Sequence, residues 1–119
     1  MEKTLRGMAV NKQAFSGVDI EAYTEALSKP GAITAALSYY RNLLSQLLSS
    51  QDWPVLANLP TLMIWGKEDA ALGKELTKGT STYVEDFQIC YIPNCSHWVQ
   101  QEQPKKVNHY IRTFLNFAK

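Results

Sequence analysis

The strongest constraint on this chain is a pair of apolar runs that end in the same way. Leu62-Met63-Ile64-Trp65 is apolar at every position and leads into Gly66-Lys67-Glu68-Asp69. Phe87-Gln88-Ile89-Cys90-Tyr91-Ile92 leads, through Pro93-Asn94, into Cys95-Ser96-His97-Trp98. A run without polar alternation suits a strand covered on both faces, so the first run predicts an interior strand of a parallel sheet. A crossover between parallel neighbours returns the chain to the same end. Both loops then open at the carboxyl edge of the sheet, where α/β proteins place their chemistry. Asp69 and His97 would meet there.

The remaining pattern is helical. Asp19 and Glu21 favour the first turn of a helix from Asp19 to about Ser28, which Pro30-Gly31 stops. Ile33, Ala36, Leu37, Tyr40, Leu43, Leu44, Leu47 and Leu48 then recur in steps of three and four, predicting an amphipathic helix that ends near Ser49-Ser50. A weaker helix is expected from Leu72 to Val84. Pro104 fits the first turn of a last helix whose stripe is Val107, Tyr110, Ile111, Phe114, Leu115 and Ala118. Residues 1–17 carry few patterned apolar positions and read as irregular and frayed. The chain thus divides into residues 1–58, an amino-terminal extension with helices, and residues 59–119, which have the texture of an α/β protein.

With 119 residues the chain makes one domain at most, and 45% hydrophobic against 19% charged residues is the balance of an ordinary globular protein. A net charge of +1, with the charges scattered, gives no electrostatic reason to expect nucleic acid or an anionic membrane as a partner. No apolar run approaches the length of a membrane span and the amino terminus lacks a secretory core, so a cytoplasmic protein is expected. Cys90 and Cys95 read as reduced thiols. No cluster has metal-ligand spacing and no glycine-rich loop suits a nucleotide, so no cofactor is expected. Two strands with two covering helices leave a sheet edge unpaired, which predicts either a part of something longer or association through that edge, including a homo-oligomer.

Two readings of the acid and the histidine stand side by side. Asp69 accepting a hydrogen bond from one nitrogen of His97 would fix the tautomer and leave the other nitrogen as a base. Alternatively, Asp69 caps the helix expected near Leu72 and His97 packs in a turn beside Trp98. Glu68 competes with Asp69 for the acid role. Trp65 and Trp98 are expected in the core, and His109, off the apolar stripe, in solvent.

Pro60 to Asp69, Ser96-His97-Trp98, Pro30-Gly31-Ala32 and Tyr39-Tyr40-Arg41-Asn42 resemble the α/β-hydrolase fold enzymes, and within them the epoxide hydrolases and their haloalkane and fluoroacetate dehalogenase relatives. The resemblance covers roughly residues 19–117. It implies a partial α/β-hydrolase fold: lid helices, then the last two parallel strands and their helices. It also implies that Asp69 is the acid of the relay, that His97 activates water against an ester intermediate, and that Tyr40 is a lid tyrosine holding the oxygen of a small apolar epoxide-like substrate. Tyr40 is preferred to Tyr39 because only Tyr40 shares the stripe of Leu37, Leu44 and Leu47. The nucleophile of such enzymes precedes the acid, yet no Gly-x-Asp-x-Gly or Gly-x-Ser-x-Gly pattern occurs between Met1 and Asp69. The expected function is therefore that of the carboxyl-terminal part of an epoxide hydrolase-like enzyme, inactive alone. The alternatives are a dehalogenase-type hydrolase fragment and a non-catalytic remnant that acts through protein association.

Overall fold

The computed structural model describes residues 1–47 and 59–117. The end of the second long helix at Leu48-Ser49-Ser50, most of the 51–60 connection, Ala118 and the side chains of Leu44 and Leu47 lie outside the described residues. Contacts gather the chain into two units, one of Ser16–Pro54 and one built from both ends, Glu2–Phe15 with Val55–Lys119.

The first unit is a helical pair, α2 (Gly17–Ser28) and α3 (Ala32–Leu47). Ser16 caps α2 reciprocally: its hydroxyl accepts the Asp19 N–H, and the Asp19 carboxylate accepts the Ser16 N–H at 2.8 Å. Lys29 is extended because Pro30 follows it, and Gly31 takes φ +81, so the chain turns before α3 begins. On α3 the stripe residues Ile33, Leu37, Tyr40 and Leu43 are exposed.

The second unit corrects the expectation of a frayed start. Residues Glu2–Met8 form α1, and Lys12–Ala14 a short 3-10 turn. Leu5 and Ala9, one helical turn apart, are buried together with Phe15. The Arg6 guanidinium donates twice to the Phe15 carbonyl, at 3.1 and 2.8 Å, and closes the segment on itself. The segment shows little pattern because three residues carry most of its burial.

Strands β1 (Thr61–Gly66) and β2 (Phe87–Ile92) pair in parallel, from Thr61 opposite Phe87 to Gly66 opposite Ile92. Among the described residues the sheet has these two strands. The expectation of an interior strand is corrected accordingly: β1 has one neighbour and is half-buried except at Gly66. The helix expected from Leu72 to Val84 is absent, replaced by 3-10 turns at Lys74–Thr77 and Thr80–Thr82. Thr77 and Thr80 hydroxyls donate to the Lys74 and Thr77 carbonyls, and Gly79 takes φ +82; both features divert the backbone from a continuous helix. Thr77 also bonds the Tyr91 hydroxyl on β2.

Beyond β2 come α4 (Val99–Glu102) and α5 (Pro104–Phe117), with Pro104 at the first position of α5. Ile92, Cys95, Val99 and Val107 form the core, with Ile64 and Tyr110 against it. Ile111 and Leu115 remain exposed and, with Leu62 and Ile64, line an open apolar groove of about 440 Å³. His109 is exposed. Among the described residues no helix is long and apolar enough to cross a membrane.

The docking of residues 2–15 is testable. Leu5 is 2% exposed, so Leu5→Ala should cost about 2–5 kcal/mol in urea unfolding. A change below about 0.5 kcal/mol, the level of a surface substitution, would mean that the segment is not packed.

Candidate active site

The two loops leave the sheet in register and are sewn together by backbone. Lys67 N–H extends the ladder to the Ile92 carbonyl at 3.0 Å. Glu68 then grips the second loop twice: its N–H donates to the Cys95 carbonyl and its Oε2 accepts the Cys95 N–H, each at 3.1 Å. Asn94, at φ +54, makes the tight left-handed turn that lets the chain reverse, a conformation its short side chain tolerates. Glu68, the competitor for the acid role, is thus occupied with the loop backbone.

Asp69 faces His97. Its Oδ2 lies 2.9 Å from His97 Nδ1, while its Oδ1 accepts the N–H groups of Ala71 and Leu72 at 2.9 and 2.8 Å. One oxygen thus holds the turn after β1, where the expected helix does not form, and the other holds the histidine. The Asp69 side chain is 5% exposed and that of His97 34%. Burial alone would push the Asp69 carboxyl up, but the Leu72 and Ala71 donors and His97 together outweigh it and hold the group below its ordinary value. An ionised Asp69 accepts a hydrogen bond from a proton carried on Nδ1, and in the neutral imidazole that tautomer leaves Nε2 with its lone pair.

The surroundings fix this pair. The Trp98 ring meets the His97 ring edge to face at 5.2 Å, and Phe15 meets Trp98 in the same manner at 6.1 Å. Trp65 Nε1 donates to the Leu72 carbonyl at 3.2 Å, bracing the turn that carries Asp69. Both tryptophans are half-buried rather than fully in the core. Cys90 and Cys95 are free thiols. Burial, aided by the charges of Glu102 and Glu68, pushes the Cys95 thiol up to about 11, which makes it a poor nucleophile. Among the described residues no three His, Cys, Asp or Glu side chains converge as a metal site would require.

Tyr40 belongs to the other unit, where it is 65% exposed and packs edge-on against Tyr39 at 5.7 Å. Glu102, which no sequence pattern singles out, is 5% exposed and accepts hydrogen bonds from the backbones of Ser96 and Asn11. Its place in the polar run Gln100-Gln101-Glu102-Gln103 offers no periodic signal of burial.

Because the folded-state value of Asp69 lies below its unfolded one, the ionised form stabilises the fold. That contribution is fully present above the ordinary carboxylate range and is lost as pH falls through the depressed value. The stability difference between the wild-type chain and Asp69→Asn should be largest near neutrality and shrink below about pH 4, read from urea midpoints. A difference that does not vary with pH would contradict the geometry.

No known family model matches the chain. Individual relatives do. The chain is 39% identical over 98 residues to epoxide hydrolase 4 of Homo sapiens, spanning 82% of this chain and 26% of that protein. To the AB hydrolase superfamily protein YfhM of Bacillus subtilis it is 34% identical over 109 residues, 92% of this chain and 37% of that protein. An epoxide hydrolase from Bacillus megaterium, crystallised with an inhibitor, superposes with a TM-score of 0.75 at 30% identity, over 90% of this chain and 40% of that one. Cfl2 from Burkholderia cenocepacia, at 21% identity and a TM-score of 0.74, shares the fold. The chain spans about a quarter to two fifths of the length of these proteins. In sequence and in fold it is epoxide hydrolase-like, and it corresponds to a carboxyl-terminal part of the α/β-hydrolase fold.

Proposed function

We propose that Asp69 and His97 are the water-activating pair of an epoxide hydrolase-type hydrolase, and that Tyr40 is a lid tyrosine of the same reaction. The observation that carries this reading is the hydrogen bond of His97 Nδ1 to a carboxylate that two backbone donors already hold in place. A histidine oriented in this way has one nitrogen committed and the other available. The reading assigns the nucleophile to a carboxylate on another segment, so the chain alone is proposed to be inactive.

The nucleophile carboxylate attacks an epoxide carbon, the carbon–oxygen bond of the ring breaks, and the departing oxygen takes the Tyr40 proton, giving an alkyl-enzyme ester. His97 Nε2 removes a proton from water, whose oxygen attacks the ester carbonyl carbon; the acyl–oxygen bond breaks and a diol leaves. Asp69 stabilises the imidazolium formed in between. The proton on Nε2 returns to the departing alkoxide, and Tyr40 recovers its own from solvent.

Mixing the chain with an amino-terminal segment of a relative that bears the nucleophile should restore epoxide hydrolysis. In that protein His97→Gln should stop turnover and leave the ester visible as a mass increase equal to one substrate, whereas Tyr40→Phe should slow ring opening by about 100-fold. Turnover indifferent to His97→Gln would sink the proposal. The open groove beside Ile111 and Leu115 favours a second reading, association through the sheet edge; sedimentation of the chain alone would show a stable dimer if that reading holds.

A further inference from the structure

We infer that Glu102 is a positioning residue for His97, and that it ties the amino-terminal segment to the turn on which His97 stands. This inference rests on the proposed role of His97 as the base. Glu102 ends α4 five residues beyond His97 and is 5% exposed, an unusual burial for a carboxylate. A buried carboxylate needs partners, and Glu102 finds them in neutral donors. Its Oε1 accepts the Ser96 N–H at 2.9 Å and also the Ser96 hydroxyl, and its Oε2 accepts the Asn11 N–H at 2.7 Å.

These bonds bracket the histidine. Ser96 Oγ, held by Glu102, in turn accepts the Trp98 N–H at 3.4 Å, so Ser96 before His97 and the Trp98 N–H after it lead back to one carboxylate. Cys95, one residue earlier, is held by Glu68. The backbone that carries His97 is therefore anchored at Cys95, Ser96 and Trp98, and the imidazole meets Asp69 from a fixed base. Through Asn11 the same carboxylate reaches the segment whose Phe15 packs against Trp98, which makes residues 2–15 a strap tied to Glu102 and to Trp98.

The chemistry of the position is specific. Donors face both oxygens, and a carboxylate offers an acceptor at each. Glutamine offers one oxygen and one amide nitrogen, so Glu102→Gln keeps the volume but sets a donor against either Ser96 or Asn11. Glu102→Asp keeps the acceptors but is one methylene too short to span both.

The test compares the full chain with Glu102→Gln, Ser96→Ala and Asn11→Pro, the last of which removes the N–H that reaches Glu102 from the strap, together with the side-chain cap on the Gln13 N–H. In proton NMR of the chain, the His97 Nδ1–H resonance should be sharp and slow to exchange in the wild type, and broadened or lost in Glu102→Gln. In the reconstituted hydrolase, Glu102→Gln should slow hydrolysis of the ester by about 100-fold, as expected for a misplaced base, with ester formation and KM unchanged. Ser96→Ala, which leaves both backbone bonds to Glu102, should slow the same step by about 10-fold. A purely structural role would instead lower ester formation and hydrolysis together, or move unfolding alone. A folded Glu102→Gln chain with an unaltered His97 resonance and unaltered ester hydrolysis would overturn the inference. If Glu102→Gln does not fold, Ser96→Ala and Asn11→Pro decide it, and wild-type behaviour in both is the contrary result. If turnover proves indifferent to His97→Gln while the resonance still depends on Glu102, the proposed function fails and the positioning role stands.

Discussion

The site depends on how closely the end of β1 passes the turn that follows β2. A Cβ on Gly66 would stand 2.2 Å from the Ser96 carbonyl oxygen and 2.5 Å from that of Cys95, so no residue other than glycine fits without moving backbone. This contact fixes the spacing of the two loops by main chain rather than by long side chains. An aspartate, whose reach is short, can therefore meet His97 Nδ1 at 2.9 Å while its other oxygen stays on the turn. Parallel pairing supplies the direction, since both strands deliver their loops to one edge, and the glycine supplies the proximity.

Three carboxylates then divide the work by what their oxygens face. Glu68 and Glu102 face backbone N–H groups and hold the turn, whereas Asp69 splits its two oxygens between backbone and imidazole. Asp69 ends up below its ordinary value because donors converge on it from Leu72, Ala71 and His97, and these overcome a burial that acts the other way. The distinction between adjacent Glu68 and Asp69, both in the turn beyond β1, is thus one of what they face: Glu68 meets the Cys95 backbone, and Asp69 meets the imidazole and the turn that follows it.

Much of this was legible from residues. The unbroken apolar run of β1, the Pro93-Asn94 stop after β2 and Pro104 at the head of α5 each carry a local physical signal, and the strands lie where that signal puts them. The segment between the strands departs from its weak helical period because threonine hydroxyls that bond their own backbone and glycines at 73 and 79 outweigh that period. Residues 2–15 are hard to read for the opposite reason: their buried positions are Leu5, Ala9 and Phe15, too few for a periodicity to register. Glu102 was not legible at all, since its partners are backbone N–H groups brought in from residues 6 and 91 positions away. Local pattern reports which face is apolar; it does not report which peptide groups a fold leaves in need of an acceptor.

The most direct test of the Asp69–His97 pair is the tautomer of His97, read from the nitrogen shifts of its ring in the isotopically labelled full chain near neutral pH. The pairing predicts a proton on Nδ1 and a bare Nε2, with the populations redistributed in Asp69→Asn. A His97 that carries its proton on Nε2, or whose ring nitrogens are indifferent to Asp69→Asn, would contradict the pair as a base held by a carboxylate.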